Sequence, residues 1–230
     1  MSIKLTWLGH SAFSLDVDGH SVLVDPFLTD NPLAPVSAES LNPEYILLSH
    51  AHGDHLGDTV SIARRSGAAV ISNFEICNWL RKNGVATTHG QNLGATGDYD
   101  FMSVKSTIAF HSSSFPDGSY GGNPGGFIVT AASSGLRMYY AGDTALFSDM
   151  QLYGDEGIDV AVLPIGDFFT MGIADSLRAV QFIRPRYVVP MHYNTFPPIV
   201  QDVSQWAQRV TNETDATPVV IDPGGSFTVE

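Results

Sequence analysis

Short runs of apolar residues, separated by turn signals, predict an alternation of strands and helices along the 230 residues. Near the start, alternating apolar positions predict strands over Ile3–Leu8, Ala12–Val17 and Ser21–Asp25, with Asp18-Gly19 as a hairpin turn. The continuous apolar run Tyr45–Ser49 predicts a buried strand. The first part of the chain therefore favours a sheet.

Helical spacing followed by a glycine predicts helices over Thr59–Ser66 and Phe74–Asn83. The section 98–140 is rich in strand patterns, and its segment Asp117–Gly126 holds five glycines, typical of a mobile substrate loop or a plain surface hairpin. The remaining predicted elements are strands over Ala69–Ser72, Asp159–Leu163 and Tyr187–Pro190, and helices over Ala174–Ile183 and Pro198–Val210. Since no low-complexity tract or linker divides the sequence, residues 1–230 are predicted to form a single α/β domain.

Polar side chains follow four of the apolar runs, close to the point where each run ends. Tyr45–Ser49 precedes His50, Arg137–Ala141 precedes Asp143, Ile158–Pro164 precedes Asp167, and Tyr187–Met191 precedes His192. Sites in layered α/β folds form at strand ends, because the loops there project from a rigid sheet. We therefore expect a site between two sheets, where strand ends from both halves of the chain converge.

The densest group of such side chains is the segment His50-Ala51-His52-Gly53-Asp54-His55. Each buried imidazole or carboxylate needs a partner, and a bound metal ion is a partner for all of them. Gly53 is expected to let the backbone turn sharply, so that neighbouring side chains converge. The segment therefore predicts a metal site. A solvated His-rich loop is the alternative, but such loops lack a preceding strand and an Asp within the run.

The balance of charge narrows the choice of partners. The formal net charge is −13, with only 11 lysines and arginines. Such a surface repels phosphate backbones, which disfavours nucleic acid as a partner. It does not exclude an anionic small-molecule substrate, because dications at a site can reverse the local field.

Cysteine content and the start of the sequence suggest a compartment. A single cysteine, Cys77, excludes an intramolecular disulfide and is typical of a reducing environment. Its apolar neighbours predict a core residue rather than a catalytic thiol. The N-terminus has no basic and apolar leader pattern, and no apolar run is long enough to span a membrane. We therefore expect a cytoplasmic protein without membrane association.

Six further segments join the H-x-H-x-D-H spacing of residues 50–55 to make a family resemblance. They are Trp7–Ser11, Asp25–Phe27, Phe110–Ser113, Ala141–Thr144, Pro164–Gly172 and Met191–Phe196. Together they resemble the metallo-β-lactamase superfamily over nearly the whole chain. The branch they resemble comprises stand-alone metal-dependent hydrolases of unassigned substrate, related to the L-ascorbate-6-phosphate lactonases. The resemblance implies an αββα four-layer sandwich, with metals in a cleft along one edge.

The resemblance also implies a set of metal ligands. His50, His52 and His111 would hold one ion and Asp54, His55 and His192 a second, with Asp143 bridging the two. The implied cofactor is two divalent ions per chain, either Zn, Mn, Fe or Ni, sharing a water or hydroxide that attacks the substrate. Taken alone, His111 and His192 would more often be structural, and Asp143 could cap a helix over Ala145–Met150.

Three residues are candidates for catalytic roles. Asp54 lies within the metal cluster itself. His10 could donate a proton to the leaving group or contact substrate, or could be a hydrogen-bonded structural residue. Asp167 could cap a turn, orient a ligand or act as a general acid.

Several neighbouring residues allow two interpretations each. Asp25, before a proline, either orients a ligand histidine or starts a turn. Asp58 is predicted to cap the helix that begins at Thr59. The aromatic residues at 168, 169 and 196 form either a pocket wall or core. His20 and His89 are predicted to be surface residues.

The favoured function is hydrolysis of a lactone, ester or phosphodiester bond in a small molecule. The alternatives are a metal-dependent nuclease acting on nucleic acid, a di-iron redox protein and a non-catalytic metal-binding protein. Nucleases of the superfamily carry RNA-binding additions, and its redox members carry a Glu where this chain has His52, together with a flavin domain. Relatives in this branch assemble, so the resemblance also allows a homo-oligomer.

Overall fold

Apolar runs build two seven-stranded β-sheets in residues 2–230, the part of the chain that the computed structural model describes. The strands of the first sheet are β1 (Ile3–Trp7), β2 (Phe13–Val17), β3 (His20–Val24), β4 (Tyr45–Leu47), β5 (Ala69–Ser72), β6 (Thr88–Gly90) and β14 (Ser226–Val229). They lie in the order β14-β1-β2-β3-β4-β5-β6. Neighbouring strands are antiparallel from β14 through β1 and β2 to β3, and parallel from β3 to β6.

The second sheet repeats this division in the order β13-β12-β11-β10-β9-β8-β7. Its strands β7 to β10 are antiparallel, and β10 to β13 are parallel. They are β7 (Thr96–Tyr99), β8 (Met102–Ile108), β9 (Gly125–Ala131), β10 (Arg137–Tyr140), β11 (Val160–Pro164), β12 (Tyr187–Met191) and β13 (Thr217–Pro218).

Helices cover the outer face of each sheet. They are α1 (Gly53–Leu56), α2 (Thr59–Ser66), α3 (Phe74–Lys82), α4 (Met150–Gly154), α5 (Ile173–Ile183) and α6 (Val203–Glu213), with 3-10 turns at Ala38–Ser40 and Pro197–Ile199. Strand β4 shows the layering, because its neighbouring residues face opposite ways. Leu47 lies in the core between the sheets, while Ile46 packs in a second cluster with Ile62 of α2 and Ile76 of α3. Helices α5 and α6 contact β11 and β13 of the second sheet. The predicted αββα four-layer sandwich is confirmed.

The burial of the strands follows their sequence pattern. In β1 the residues alternate between the core and the surface, as the alternating pattern predicted. Strand β11 is buried at all five positions, because it lies inside the sheet with a layer packed on each face.

Two predicted helices differ from the structure. The segment 145–149 is not helical, because its backbone is tied to a neighbouring strand end: Ala145 N–H donates to Phe110 O, and the helix begins only at Met150. The helix predicted over Pro198–Val210 is split. Prolines cannot donate backbone hydrogen bonds, so the first part is a short 3-10 turn, and α6 begins after Asp202, whose side chain accepts from Gln205 N–H.

The glycine-rich segment Asp117–Gly126 divides into three parts. Residues 117–120 are an exposed loop, whereas Gly125 and Gly126 belong to β9. Gly121 and Gly122 are buried, and a Cβ at Gly122 would lie 2.4 Å from Asn73 Nδ2. Asn73 Nδ2 donates to Gly121 O at 2.8 Å. The centre of the segment is therefore close-packed against the first sheet's helix layer rather than being a simple surface hairpin.

Candidate metal centre

The side chains predicted as metal ligands lie together where strands of the two sheets end. They are His50, His52, Asp54 and His55, which follow β4, and His111, Asp143 and His192, which follow β8, β10 and β12. The last three strands run in one direction, because β9 is antiparallel to both β8 and β10, and β10 to β12 are parallel. Both sheets thus deliver candidate ligands to one edge of the sandwich.

His50, His52 and His111 form the first group. One ring nitrogen from each lies within 4.8 Å of the other two, and His50 Nε2 is 3.0 Å from His52 Nδ1. His50 is fully buried, and the other two are partly exposed. Burial lowers the pKa of all three imidazoles, because the charged form loses its hydration. The neutral imidazole is the form that binds a metal ion.

Asp54, His55 and His192 form the second group, and His10 joins them. One ligand atom from each of the four lies within 4.8 Å of the others. Burial opposes the charge of Asp54, but the hydrogen bond with His10 and the neighbouring His55 outweigh it and hold the pKa of Asp54 below its usual range.

Asp143 lies between the two groups. Its Oδ2 is 3.0 Å from His192 Nε2 and 3.3 Å from His55 Nε2. The same oxygen is 3.6 Å from His111 Nε2 in the first group. Burial opposes ionisation of Asp143, but His192 and His55 prevail and hold its pKa well below the usual value. One carboxylate oxygen therefore faces histidines from both groups, which is the position that a bridging ligand occupies.

Buried polar atoms without partners test whether metal ions fit here. His55 Nε2, Asp143 Oδ1 and His192 Nδ1 are buried and make no hydrogen bond. Such atoms are rare in folded proteins, since each loses its hydration without compensation. Burial disfavours a charged His55, yet Asp143 and Asp25 raise its pKa well above the usual value. A proton on His55 thus supplies positive charge where a metal ion would, and the donor set fits divalent ions.

Asp25 supports His55 from the side away from Asp143. The carboxylate is fully buried, and its Oδ2 is 2.8 Å from both His55 Nδ1 and the Tyr140 hydroxyl. Ser49 donates to it through its backbone N–H, at 2.7 Å, and through its hydroxyl. Four donors surround the carboxylate, which leaves it little capacity to bind an ion itself. The ligand-orienting contact considered for Asp25 is present, and it turns His55 Nε2 towards Asp143.

His10 lies beneath the second group and is fully buried. Its Nδ1 is 2.8 Å from Thr195 Oγ1, and its Nε2 is 3.2 Å from Asp54 Oδ2. Burial lowers the pKa of His10 to about 4, so at pH 7 the ring is neutral and carries one proton. Because an ionised Asp54 only accepts, that proton lies on Nε2 and the Thr195 hydroxyl donates to Nδ1.

Asp167 does not join these groups. It is exposed, and its Oδ1 accepts from Phe168 N–H at 2.9 Å, which caps a tight turn. The turn-capping interpretation is therefore the one that the contacts favour, and a general-acid role for Asp167 stays a prediction.

A cavity of about 260 Å³ opens over the ligand groups. It is lined by His52, Asp54, His111, Ser112, Asp143, Phe169 and His192. The aromatic wall considered from the sequence is thus partly present. Phe169 lines the cavity, while Phe196 is half-buried and packs against His10, with ring centroids 5.5 Å apart.

Glycines shape the backbone at the centre, although Gly53 does not play its predicted role. Gly53 does not have a positive φ and starts helix α1, where a Cβ would meet only Pro116 at 3.7 Å. The sharp turn comes later, at Gly57 with φ +40°. Gly142 is required both by its backbone, with a φ of +63°, and by packing, because a Cβ there would lie 2.4 Å from Gly125 O.

Three other predictions concern residues outside the centre. Asp58 occupies the N-cap position of α2, but its side chain does not cap the helix, because both of its oxygens accept from Leu28 N–H, Thr29 N–H and the Thr29 hydroxyl. Cys77 is buried and free, as a core residue should be. The reducing compartment stays a prediction. His20 and His89 lie away from the centre, stacked on Phe101 and packed against Tyr99 respectively.

Some residues of the centre had no signal of their own in the sequence. Tyr140 belongs to an apolar strand and resembles an ordinary core residue, and Ser49 ends the apolar run that contains β4. Thr195 lies in the segment 191–196 but was not distinguished within it. Tyr140 and Thr195 reach Asp25 and His10 because the two sheets meet, and Ser49 reaches Asp25 because β3 and β4 are neighbours in the first sheet.

Comparison with known proteins identifies the family. Residues 4–192 match the family model described as a β-lactamase superfamily domain. A relative from Symbiobacterium thermophilum, named a UPF0173 metal-dependent hydrolase, is 47% identical over 231 residues, covering 99% of this chain and 100% of the relative. The chain belongs to the metal-dependent hydrolases of the β-lactamase superfamily. A second relative, from Thermus thermophilus, bears the same family name. It is 49% identical to this hydrolase over 207 residues, covering 90% of this chain and 91% of the relative.

A solved structure supports the same assignment. This hydrolase matches a novel metallo hydrolase from the hyperthermophilic archaeon Ignicoccus hospitalis with a TM-score of 0.92 and 39% identity, covering 100% of this chain and 99% of the other. The predicted superfamily and metallo-β-lactamase fold are confirmed, and a relation to the L-ascorbate-6-phosphate lactonases stays a prediction.

Among residues 2–230, none of the helices has the length and apolar character needed to cross a membrane.

Proposed function

We propose that this hydrolase uses a dinuclear metal site to cleave a lactone, ester or phosphodiester bond in a small molecule. The observation that carries the proposal is the position of Asp143, one oxygen of which lies within 3.6 Å of histidines from two separate groups. A single ion in the first group would leave the buried His55 Nε2 of the second group without a partner. Two ions that share Asp143 satisfy both groups.

The proposed ligands follow the two groups. His50, His52 and His111 hold one ion, Asp54, His55 and His192 hold the other, and Asp143 bridges them. When bound, the two ions supply a water of lowered pKa as nucleophile and polarise the scissile group. Zn, Mn, Fe and Ni all suit imidazole and carboxylate ligands. The donor set therefore does not distinguish these metals, and elemental analysis is needed to identify the one that is bound.

Residues behind the ligands fix which nitrogen of each imidazole faces the centre. The Ser49 hydroxyl lies 3.0 Å from His50 Nδ1 and donates its own proton to Asp25, so it accepts the proton of Nδ1. Asp25 likewise accepts from His55 Nδ1. Both histidines therefore direct Nε2 towards the centre, and the protonated His55 releases its Nε2 proton when an ion binds.

We propose that His10 positions Asp54 rather than donating a proton to the leaving group. His10 is fully buried and absent from the cavity wall, and both of its nitrogens are engaged. The hydrogen bond from its Nε2 fixes one oxygen of Asp54, which orients the other carboxylate oxygen. His10 thus acts on the reaction through a ligand.

A small molecule is favoured over nucleic acid as the substrate. The cavity of about 260 Å³ is at the small end of ligand sites. None of its lining residues is a lysine or an arginine, and the formal net charge is −13. A polynucleotide would find no side-chain counterions beside the site.

The experiment that tests the proposal is elemental analysis of the purified protein, followed by assays of lactones, esters and phosphodiesters. We expect close to two transition-metal ions per chain, and loss of both bound metal and turnover in Asp143→Ala. Asp175→Asn, an exposed change on α5, is the control and should keep both. Close to one ion per chain, or full activity in Asp143→Ala, would contradict a dinuclear site. Dominant iron with redox activity and no hydrolysis would contradict the hydrolytic proposal.

A further inference from the structure

A strained loop places two phenylalanines beside the cavity. Gly166 and Gly172 form an antiparallel bridge that closes the loop 167–171. The loop is anchored by Asp167 N–H donating to Met171 O, and by Met171 N–H donating to Thr144 O, directly after Asp143. The loop therefore has a fixed position relative to the metal centre.

The loop adopts a conformation that side chains normally avoid. Asp167 and Phe168 have φ values of +60° and +51°, two consecutive non-glycine residues in the left-handed region. Such conformations persist only where the surrounding structure enforces them, and they concentrate at functional sites. Here the conformation presents aromatic rings outwards instead of turning them into the core.

The two rings are exposed next to the ligands. Phe168 is 74% and Phe169 50% exposed, and their centroids lie 4.8 Å apart in an edge-to-face arrangement. Phe169 lines the cavity together with candidate metal ligands such as His52 and His192. Paired aromatic rings left in water beside a ligand cavity indicate that an apolar group packs on them.

The lack of basic side chains around the cavity also favours an uncharged substrate group. The cavity wall contains no lysine or arginine. Elsewhere, five of the eleven lysines and arginines form ion pairs with acidic side chains, among them Lys105, Arg184 and Arg209. A phosphate or carboxylate carried by the substrate away from its scissile bond would find no basic side chain in the cavity wall, and the acidic surface would repel it.

We infer that the substrate of this hydrolase is a small ester or lactone whose non-reacting part is uncharged and apolar and packs against Phe169, with Phe168 as the outer wall. The inference rests on the proposed hydrolytic function and adds its substrate class. It disfavours substrates with a remote phosphate or carboxylate group.

Two esters of equal chain length test the inference with the metal-loaded protein. 4-Nitrophenyl butyrate and 4-nitrophenyl succinate share a leaving group and differ by a remote carboxylate. We expect kcat/KM for the butyrate to exceed that for the succinate by about 10-fold or more, in line with typical pocket discrimination. Phe169→Ala should lower kcat/KM for the butyrate by about 10-fold, mainly through KM, with a smaller effect on the succinate. Phe74→Ala is the matched control, because Phe74 is 52% exposed and starts α3 away from the cavity.

Binding without turnover separates this inference from the proposed function. N-(4-nitrophenyl)butanamide and N-(4-nitrophenyl)succinamic acid, amides in place of the esters, can be compared by ligand-observed NMR. Preferential binding of the butanamide, lost in Phe169→Ala but retained in Phe74→Ala, supports the inference even if no ester is hydrolysed. A lack of ester hydrolysis would count against the proposed function alone. Ester hydrolysis with no preference between the two acyl groups would overturn the inference and leave the proposed function intact.

A second copy of this chain could also cover the two rings. Light scattering on Phe168→Ala and Phe169→Ala tests for that. An unchanged molecular mass is the expected result. Dissociation of an oligomer in these variants, with unchanged ester preference, would assign the rings to an interface and overturn the inference.

Discussion

Replacing Asp25 with asparagine should weaken both the fold and the metal centre. The carboxylate is fully buried and receives four donors: His55 Nδ1, the Tyr140 hydroxyl, and the backbone N–H and hydroxyl of Ser49. Asparagine keeps the shape but offers one acceptor oxygen, and its NH₂ group faces other donors. Tyr140 can turn to Ser11 O, at 2.9 Å, while the remaining donors cannot all be satisfied.

The expected magnitude follows from the donors that lose their acceptor. Each buried donor left unsatisfied costs roughly 1–3 kcal/mol, so two of them lower the free energy of unfolding by about 4 kcal/mol. His55 also loses the partner that fixes its Nδ1 proton, and loss of such a partner typically weakens metal binding about 10- to 100-fold.

Urea unfolding of the metal-free chain and a zinc titration of the folded chain measure the two effects separately. Asp58→Asn is the matched control, because Asp58 accepts three hydrogen bonds from the loop at Leu28 and Thr29 and contacts no histidine. The control should leave zinc affinity unchanged. Zinc affinity within about twofold of native in Asp25→Asn, together with a stability loss below about 1 kcal/mol, would refute the reasoning.

Three further predictions concern other parts of the molecule. Thr195→Val removes the donor to His10 Nδ1 and should lower kcat by about 10-fold, whereas Thr195→Ser should restore it; equal rates in both variants would argue against the positioning role. Gly142→Ala should cost roughly 3 kcal/mol in urea unfolding, against about 1 for Gly67→Ala, whose Cβ would meet nothing within 4 Å; equal losses would exclude the packing argument. Burial raises the pKa of Cys77 to about 11, so at pH 8 the folded chain should react with iodoacetamide at least about 100-fold more slowly than the urea-unfolded chain, and equal rates would contradict burial of the thiol.

Local pattern sufficed for most elements and for the residues of the metal cluster. The spacing of residues 50–55 after an apolar strand, and the single polar residues Asp143 and His192 after two later strands, predicted side chains that the structure brings together. The same pattern also selected Asp167, which lies apart from them, and it missed His111, which only the family resemblance supplied. Local pattern failed where a distant contact decides the outcome. Residues 145–149 have helical character, but the hydrogen bond from Ala145 N–H to Phe110 O holds them outside a helix. Asp58 stands at a helix start, but its oxygens bond to a loop that lies 29 and 30 residues earlier in the chain.

By itself, the sequence determined the donor chemistry of the centre, because imidazoles and carboxylates are properties of residue type, and it determined the strand ends that carry them. The tertiary structure decided how these groups are shared. It placed one oxygen of Asp143 between His55, His192 and His111, directed four donors onto Asp25, and buried His10 against Asp54. Two of these contacts, His55 with Asp143 and Tyr140 with Asp25, join the two sheets, and the others join separate strand ends of one sheet. No local pattern contains them, because they form only when hydrophobic burial assembles the strands and the two sheets.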